Sequence, residues 1–101
     1  MEKALDNVVV PMSALVNLAR ADNSTSSLAY LQLLKLCQFS NEPYIEVDME
    51  WLKKQCNTYL EKLYFALNIL EEINLIHHFK VWKDGAEYVR VYSMLGWDSR
   101  R

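Results

Sequence analysis

Lys53, Lys54, Gln55, Asn57, Thr58, Tyr59 and Lys62 bring ammonium, amide and hydroxyl groups together over a short stretch of the chain. Donors of this kind around a helix N-terminus suit phosphate oxygens and base edges, because free backbone N–H groups and the helix dipole add to the attraction. Asn57 and Thr58 are also turn and capping residue types, so their presence has a local explanation as well. Further along, Lys80, Lys83 and Arg90 are interleaved with Trp82, Tyr88 and Tyr92. Such a mixture can hold a phosphate backbone or stack on bases, although cross-strand aromatic pairs also stabilise any exposed sheet.

Other chemistries find little support. His77 and His78 are neighbours in a segment that reads as a strand, so their rings point to opposite faces and do not readily share a metal. Cys37 and Cys56 have no C-x-x-C or Cys/His companion and read as buried free thiols. Glu71 and Glu72 diverge by 100° on a helix and read as solvated surface. No Gly-rich phosphate loop, nucleophile elbow or triad-like spacing is present, so neither an enzyme nor a cofactor is expected.

Composition sets limits on the partner. With 101 residues, 51% of them hydrophobic, the chain is expected to fold as one domain with a core of its own. It contains no run of about 18 apolar residues, and Glu2, Lys3 and Asp6 precede Val8-Val9-Val10 without the pattern of a signal peptide. A soluble, intracellular (cytoplasmic) protein with no membrane partner is the expectation. Eleven Lys+Arg against thirteen Asp+Glu give a net charge of −2, so any phosphate-binding surface must be a local basic face.

The elements that must position these residues follow from spacing. Thr58 and Glu61 form the T-x-x-E pattern of a capping box, predicting a helix from Thr58. Leu60, Leu63, Leu67 and Leu70 give that helix its buried stripe, leaving Glu61, Lys62, Phe65, Asn68, Ile69 and Glu72 outward. Asn74 fits its left-handed end, Leu75–Trp82 a strand, and Ala86–Tyr92 the return strand. A three-residue loop Lys83-Asp84-Gly85 segregates the hairpin faces best: Phe79, Val81, Val89 and Val91 on one side, and His78, Lys80, Trp82, Tyr88, Arg90 and Tyr92 on the other. Upstream, Met12–Ala21 reads as an amphipathic helix with Met12, Leu15, Val16 and Ala19 on one side. Asp22–Ser27 reads as a polar boundary and Leu28–Gln38 as a largely buried helix whose turns are traced by Leu28, Leu31, Leu34 or Lys35, and Gln38. Tyr44–Val47 is a short strand, and Met49–Cys56 a helix capped by Asp48, with Met49, Leu52 and Cys56 on one face.

The order helix, strand, helix, turn, helix, strand, wing, strand over residues 27–93 resembles the winged-helix family of DNA-binding domains. The resemblance implies an α+β, mainly helical fold: an arm with an amphipathic helix over 1–26, a winged helix over 27–93 and a tail over 94–101. It implies that the helix from Thr58 enters the major groove. Lys53, Lys54, Asn57, Thr58, Tyr59 and Lys62 would then meet or flank the bases of double-stranded DNA, while Lys80, Lys83 and Arg90 hold its backbone. The expected activity is non-catalytic duplex binding of transcription-regulator or replication-accessory type, by a homodimer that uses the Met12–Ala21 face. The alternative is a winged helix serving as a protein-interaction module, anchored by Phe65 and Ile69.

Overall fold

The computed structural model describes Val10 and residues 12–37 and 42–93; the tail from Met94 lies outside the described residues. Helix α1, Met12–Ala21, ends where Asp22 turns left-handed (φ 52°) and returns its N–H to Leu18 O at 3.1 Å. Helix α2, Ser24–Cys37, follows at once, because Asn23 Oδ1 accepts from Ser26 N at 2.9 Å and so caps it. The break between the helices thus falls within the polar cluster, at Asp22 and Asn23, and the serines and threonine that follow form the first turn of α2. Ser26 is fully buried and donates its hydroxyl to Ala66 O at 2.9 Å. The phase of α2 also differs from the expected one. Ala29, Tyr30, Leu33, Leu34 and Cys37 face inward, whereas Leu28 and Leu31 face water, since leucine on every side of this helix leaves no apolar stripe to choose between.

Strand β1, Tyr44–Asp48, buries alternate residues. Asp48 then caps helix α3, Met49–Gln55, by accepting from Glu50 N at 2.9 Å. Asn57 adopts φ 52° and Thr58 N–H bonds Lys53 O at 3.1 Å. Helix α4, Leu60–Glu72, thus starts one residue later than the capping pattern predicts, with extended Tyr59 rather than Thr58 as its N-cap and no side-chain cap bond. The left-handed turn at Asn57 draws Thr58 into the connection, so the Thr58–Glu61 box does not form. Leu63, Ala66, Leu67 and Leu70 are fully buried and Leu60 partly so. At the far end Asn74 is left-handed (φ 63°), and Leu75 N bonds Leu70 O while Asn74 N bonds Glu71 O, both at 3.0 Å. That is a Schellman stop with asparagine in glycine's place.

Strands β2, Ile76–Lys83, and β3, Ala86–Ser93, form an antiparallel hairpin, and β1 pairs with the other edge of β3, giving the order β1-β3-β2. Lys83 pairs with Ala86, so the loop is Asp84-Gly85 alone, with φ 53° and 76°. Positive φ at both positions is a type I′ turn, whose twist matches the strands. This overturns the three-residue loop and its clean segregation. His77, Phe79, Val81 and Lys83 now share the outer face with Tyr88, Arg90 and Tyr92, and His78, Lys80 and Trp82 share the inner face with Val89 and Val91. The core lies between that inner face and the helices, around Tyr30, Leu33, Leu52, Leu63, Leu67 and Ile76.

Candidate nucleic-acid interface

The connection between α3 and α4 carries the first group of predicted contacts. Asn57 and Tyr59 are exposed, Tyr59 to 61%, and Thr58 is half-buried. Because no side chain caps α4, the N–H groups of its first turn have no side-chain acceptor among the described residues. Lys54 and Lys62 stand exposed on either side of this end, and neither has a carboxylate within salt-bridge reach among the described residues. Lys53 differs, since Glu50 Oε1 holds its ammonium at 2.9 Å. Glu61, in the first turn of α4, adds a negative charge to the same end.

The three wing cations do not form one surface. Lys80 lies on the inner face, its ammonium 4.9 Å from the Tyr64 ring centre and 3.9 Å from Glu87 Oε2. Lys83 and Arg90 lie on the outer face and converge on Glu46 of β1: Lys83 Nζ donates to Oε1 at 2.6 Å, and Arg90 Nη2 and Nε donate to Oε2 at 2.6 and 3.0 Å. These hydrogen bonds hold the Glu46 carboxyl below its ordinary pKa and raise the pKa of both cations. Lys83 also sits over the Tyr88 ring and Arg90 over Tyr44. A phosphate approaching this face meets two cations already sharing an anion.

Two arrangements escape sequence reading. On the outer face Phe79 contacts both His77 and Tyr92 edge to face, and Tyr92 contacts Tyr44 with the rings tilted at 50°. The two-residue turn puts His77 and Phe79 on the face of Tyr92, and the pairing of β1 with β3 brings Tyr44 to it. Glu71, at the end of α4, reaches the free edge of β2, accepting from His78 N at 3.2 Å. Its two oxygens lie 3.1 Å from His77 Nδ1 and 2.7 Å from His78 Nδ1, the latter contact outside hydrogen-bond geometry. One carboxylate thus touches both histidines although their rings leave the strand on opposite sides. Among the described residues no set of three or more His, Cys, Asp or Glu side chains is placed to hold a metal ion.

On the outward side of α4, Phe65 is 59% exposed and Ile69 half-buried, one turn apart. Cys37 and Cys56 are buried free thiols, and burial pushes the Cys56 thiol pKa up. No helix among the described residues is long and apolar enough to cross a membrane. No protein-family model, curated protein or solved structure matches the chain.

Proposed function

We propose that this chain is a winged-helix domain that binds duplex DNA through the front of α4 and the turn before it, without chemistry. The element order and the β1-β3-β2 sheet, in which the hairpin forms a wing beside α4, support the architecture. One observation carries the binding surface: the first turn of α4 has no side-chain cap, and neither Lys54 nor Lys62 beside it has a carboxylate within salt-bridge reach among the described residues, while every other predicted cation has one. Open N–H groups and two available ammonium groups make an anion-seeking edge. Asn57, Thr58 and Tyr59 are the polar groups next to it. The wing is secondary in this reading, because Glu46 occupies Lys83 and Arg90.

The exposed Phe65 ring favours a second reading, in which the same helix docks a protein. Lys62→Ala and Phe65→Ser separate the two. Under the DNA reading, Lys62→Ala weakens binding of a fluorescent duplex in anisotropy, while Phe65→Ser leaves it intact. Wild-type protein with no salt-sensitive duplex binding overturns the proposal.

A further inference from the structure

Helix α1 turns its apolar stripe to water. Met12 is 72% exposed, Leu15 46% and Val16 41%, and Ala19 completes the exposed line, while Ala14 and Leu18 alone are buried. A ten-residue helix is too short to persist unaided in water. Among the described residues its hold on the body is narrow: the Ala14 and Leu18 side chains and one hydrogen bond, from Asn17 Nδ2 to Ile73 O at 3.3 Å. Helix α2 adds a second ridge with Leu28 at 43% and Leu31 at 39% exposure. A groove of about 350 Å³ joins the ridges, walled on one part by Leu15, Leu18, Ala19 and Leu31 and on the rest by polar residues of the 22–27 connection.

The charge pattern points the same way. From Met12 to Leu34 the only charged residues are Arg20 and Asp22, in a chain that is 24% charged. Loss of charge from the centre of a patch marks interface cores more clearly than bulk apolarity does. The five exposed aliphatic side chains leave on the order of 400 Å² of apolar surface, within the roughly 300–600 Å² of a monomer's largest and often functional patch, and about half of the ~800 Å² each side gives to a standard interface. A two-fold axis presents a patch to itself, so one such surface per copy suffices.

We propose that the α1–α2 face is where two copies of this chain associate, with their α1 helices antiparallel about a two-fold axis near Leu15 and Val16. Bulky Met12 then lies across from small Ala19, so the ridges can interlock. The two Arg20 side chains fall roughly 13 Å apart along the axis direction, beyond the Debye length at physiological salt. The surface lies apart from Lys54 and Lys62 and needs no DNA to form.

Sedimentation equilibrium of the full chain tests this. Wild-type protein at roughly tens of micromolar, where a dimer of micromolar Kd is populated, sediments at twice 11.9 kDa and dissociates on dilution. Leu15→Glu and Leu15→Lys each weaken association at least tenfold with unchanged far-UV circular dichroism. Mixing the two variants restores a dimer, because position 15 of each copy lies beside the axis. Wild-type protein that stays monomeric at about 1 mM overturns the proposal. So does a dimer indifferent to both variants, or two monomeric variants that do not rescue each other, which would mean that another segment or partner covers the face. Hydrogen exchange on the wild type needs no variant: α1 amides gain protection as concentration rises, and concentration-independent protection also overturns it.

Discussion

The ion pairs around the wing make a quantitative prediction about salt. Each phosphate neutralised on B-form DNA adds about 0.9 to the slope of log affinity against log salt. Lys54 and Lys62 have no carboxylate partner among the described residues, so Lys54→Ala with Lys62→Ala should make the slope shallower by about 1.8 units. Between 50 and 200 mM salt that is about a twelve-fold smaller loss of affinity than wild type suffers. Lys83 and Arg90 share Glu46, each at 2.6 Å, so the three groups together carry a single positive charge. Lys83→Ala with Arg90→Ala should therefore change the slope by about 1 unit at most. Fluorescence anisotropy with one labelled duplex over that salt range measures all three proteins. A wing variant that loses more slope than the Lys54/Lys62 variant refutes the reasoning. Glu46→Gln provides the converse control: it frees both wing cations, and the slope should stay at the wild-type value if the outer sheet face stands away from DNA.

Three further outcomes test the fold beneath that surface. Leu67 is fully buried in the middle of α4, and Leu67→Ala should cost about 2 to 5 kcal/mol in denaturant titration. Asp48→Ala should cost about 1 kcal/mol because its carboxylate caps α3, whereas Thr58→Ala should stay within about 0.5 kcal/mol because its hydroxyl caps nothing. Burial pushes the Tyr30 hydroxyl from 10.0 up to about 12. Its folded-state pKa is raised, so its contribution is complete below pH 10 and is lost as pH rises towards about 12. The loss reaches about 3 kcal/mol at most, and Tyr30→Phe should flatten that alkaline limb of a stability–pH curve.

Features governed by neighbouring residues were legible in the sequence. Asp48 caps α3, Asn74 stops α4, and Leu63, Leu67 and Leu70 face the core because spacing along a helix fixes which side they share. Where two local rules competed, the sequence left the choice open. The Thr58–Glu61 spacing satisfies a capping box, but Asn57 in the preceding turn takes the left-handed conformation and moves the helix start to Leu60. Segregation of faces argued for a longer hairpin loop, yet Asp84-Gly85 meets the demand of a two-residue turn and thereby exchanges the faces of every β2 side chain. Helix α1 posed a third ambiguity: Ala14 and Leu18 form an apolar line as valid as Met12, Leu15, Val16 and Ala19, and only the body decides which line is buried.

The same logic separates the two halves of the candidate site. Cations can be counted in a sequence, but their availability depends on contacts that span it: Glu46 lies 37 residues from Lys83 and 44 from Arg90, and they meet only because β1 pairs with β3 and the type I′ turn puts Lys83 on the outer face. Had the loop been three residues long, Lys80 rather than Lys83 would share a face with Arg90, and a different pair of cations would be left for phosphate. Hairpin register thus sets how much positive charge the wing can offer. Lys54 and Lys62 escape this dependence because they flank a helix end, where local geometry alone decides what they face. In a chain with a net charge of −2, the front of α4 is thus, of the predicted contact sites, the one whose lysines Lys54 and Lys62 have no carboxylate partner among the described residues.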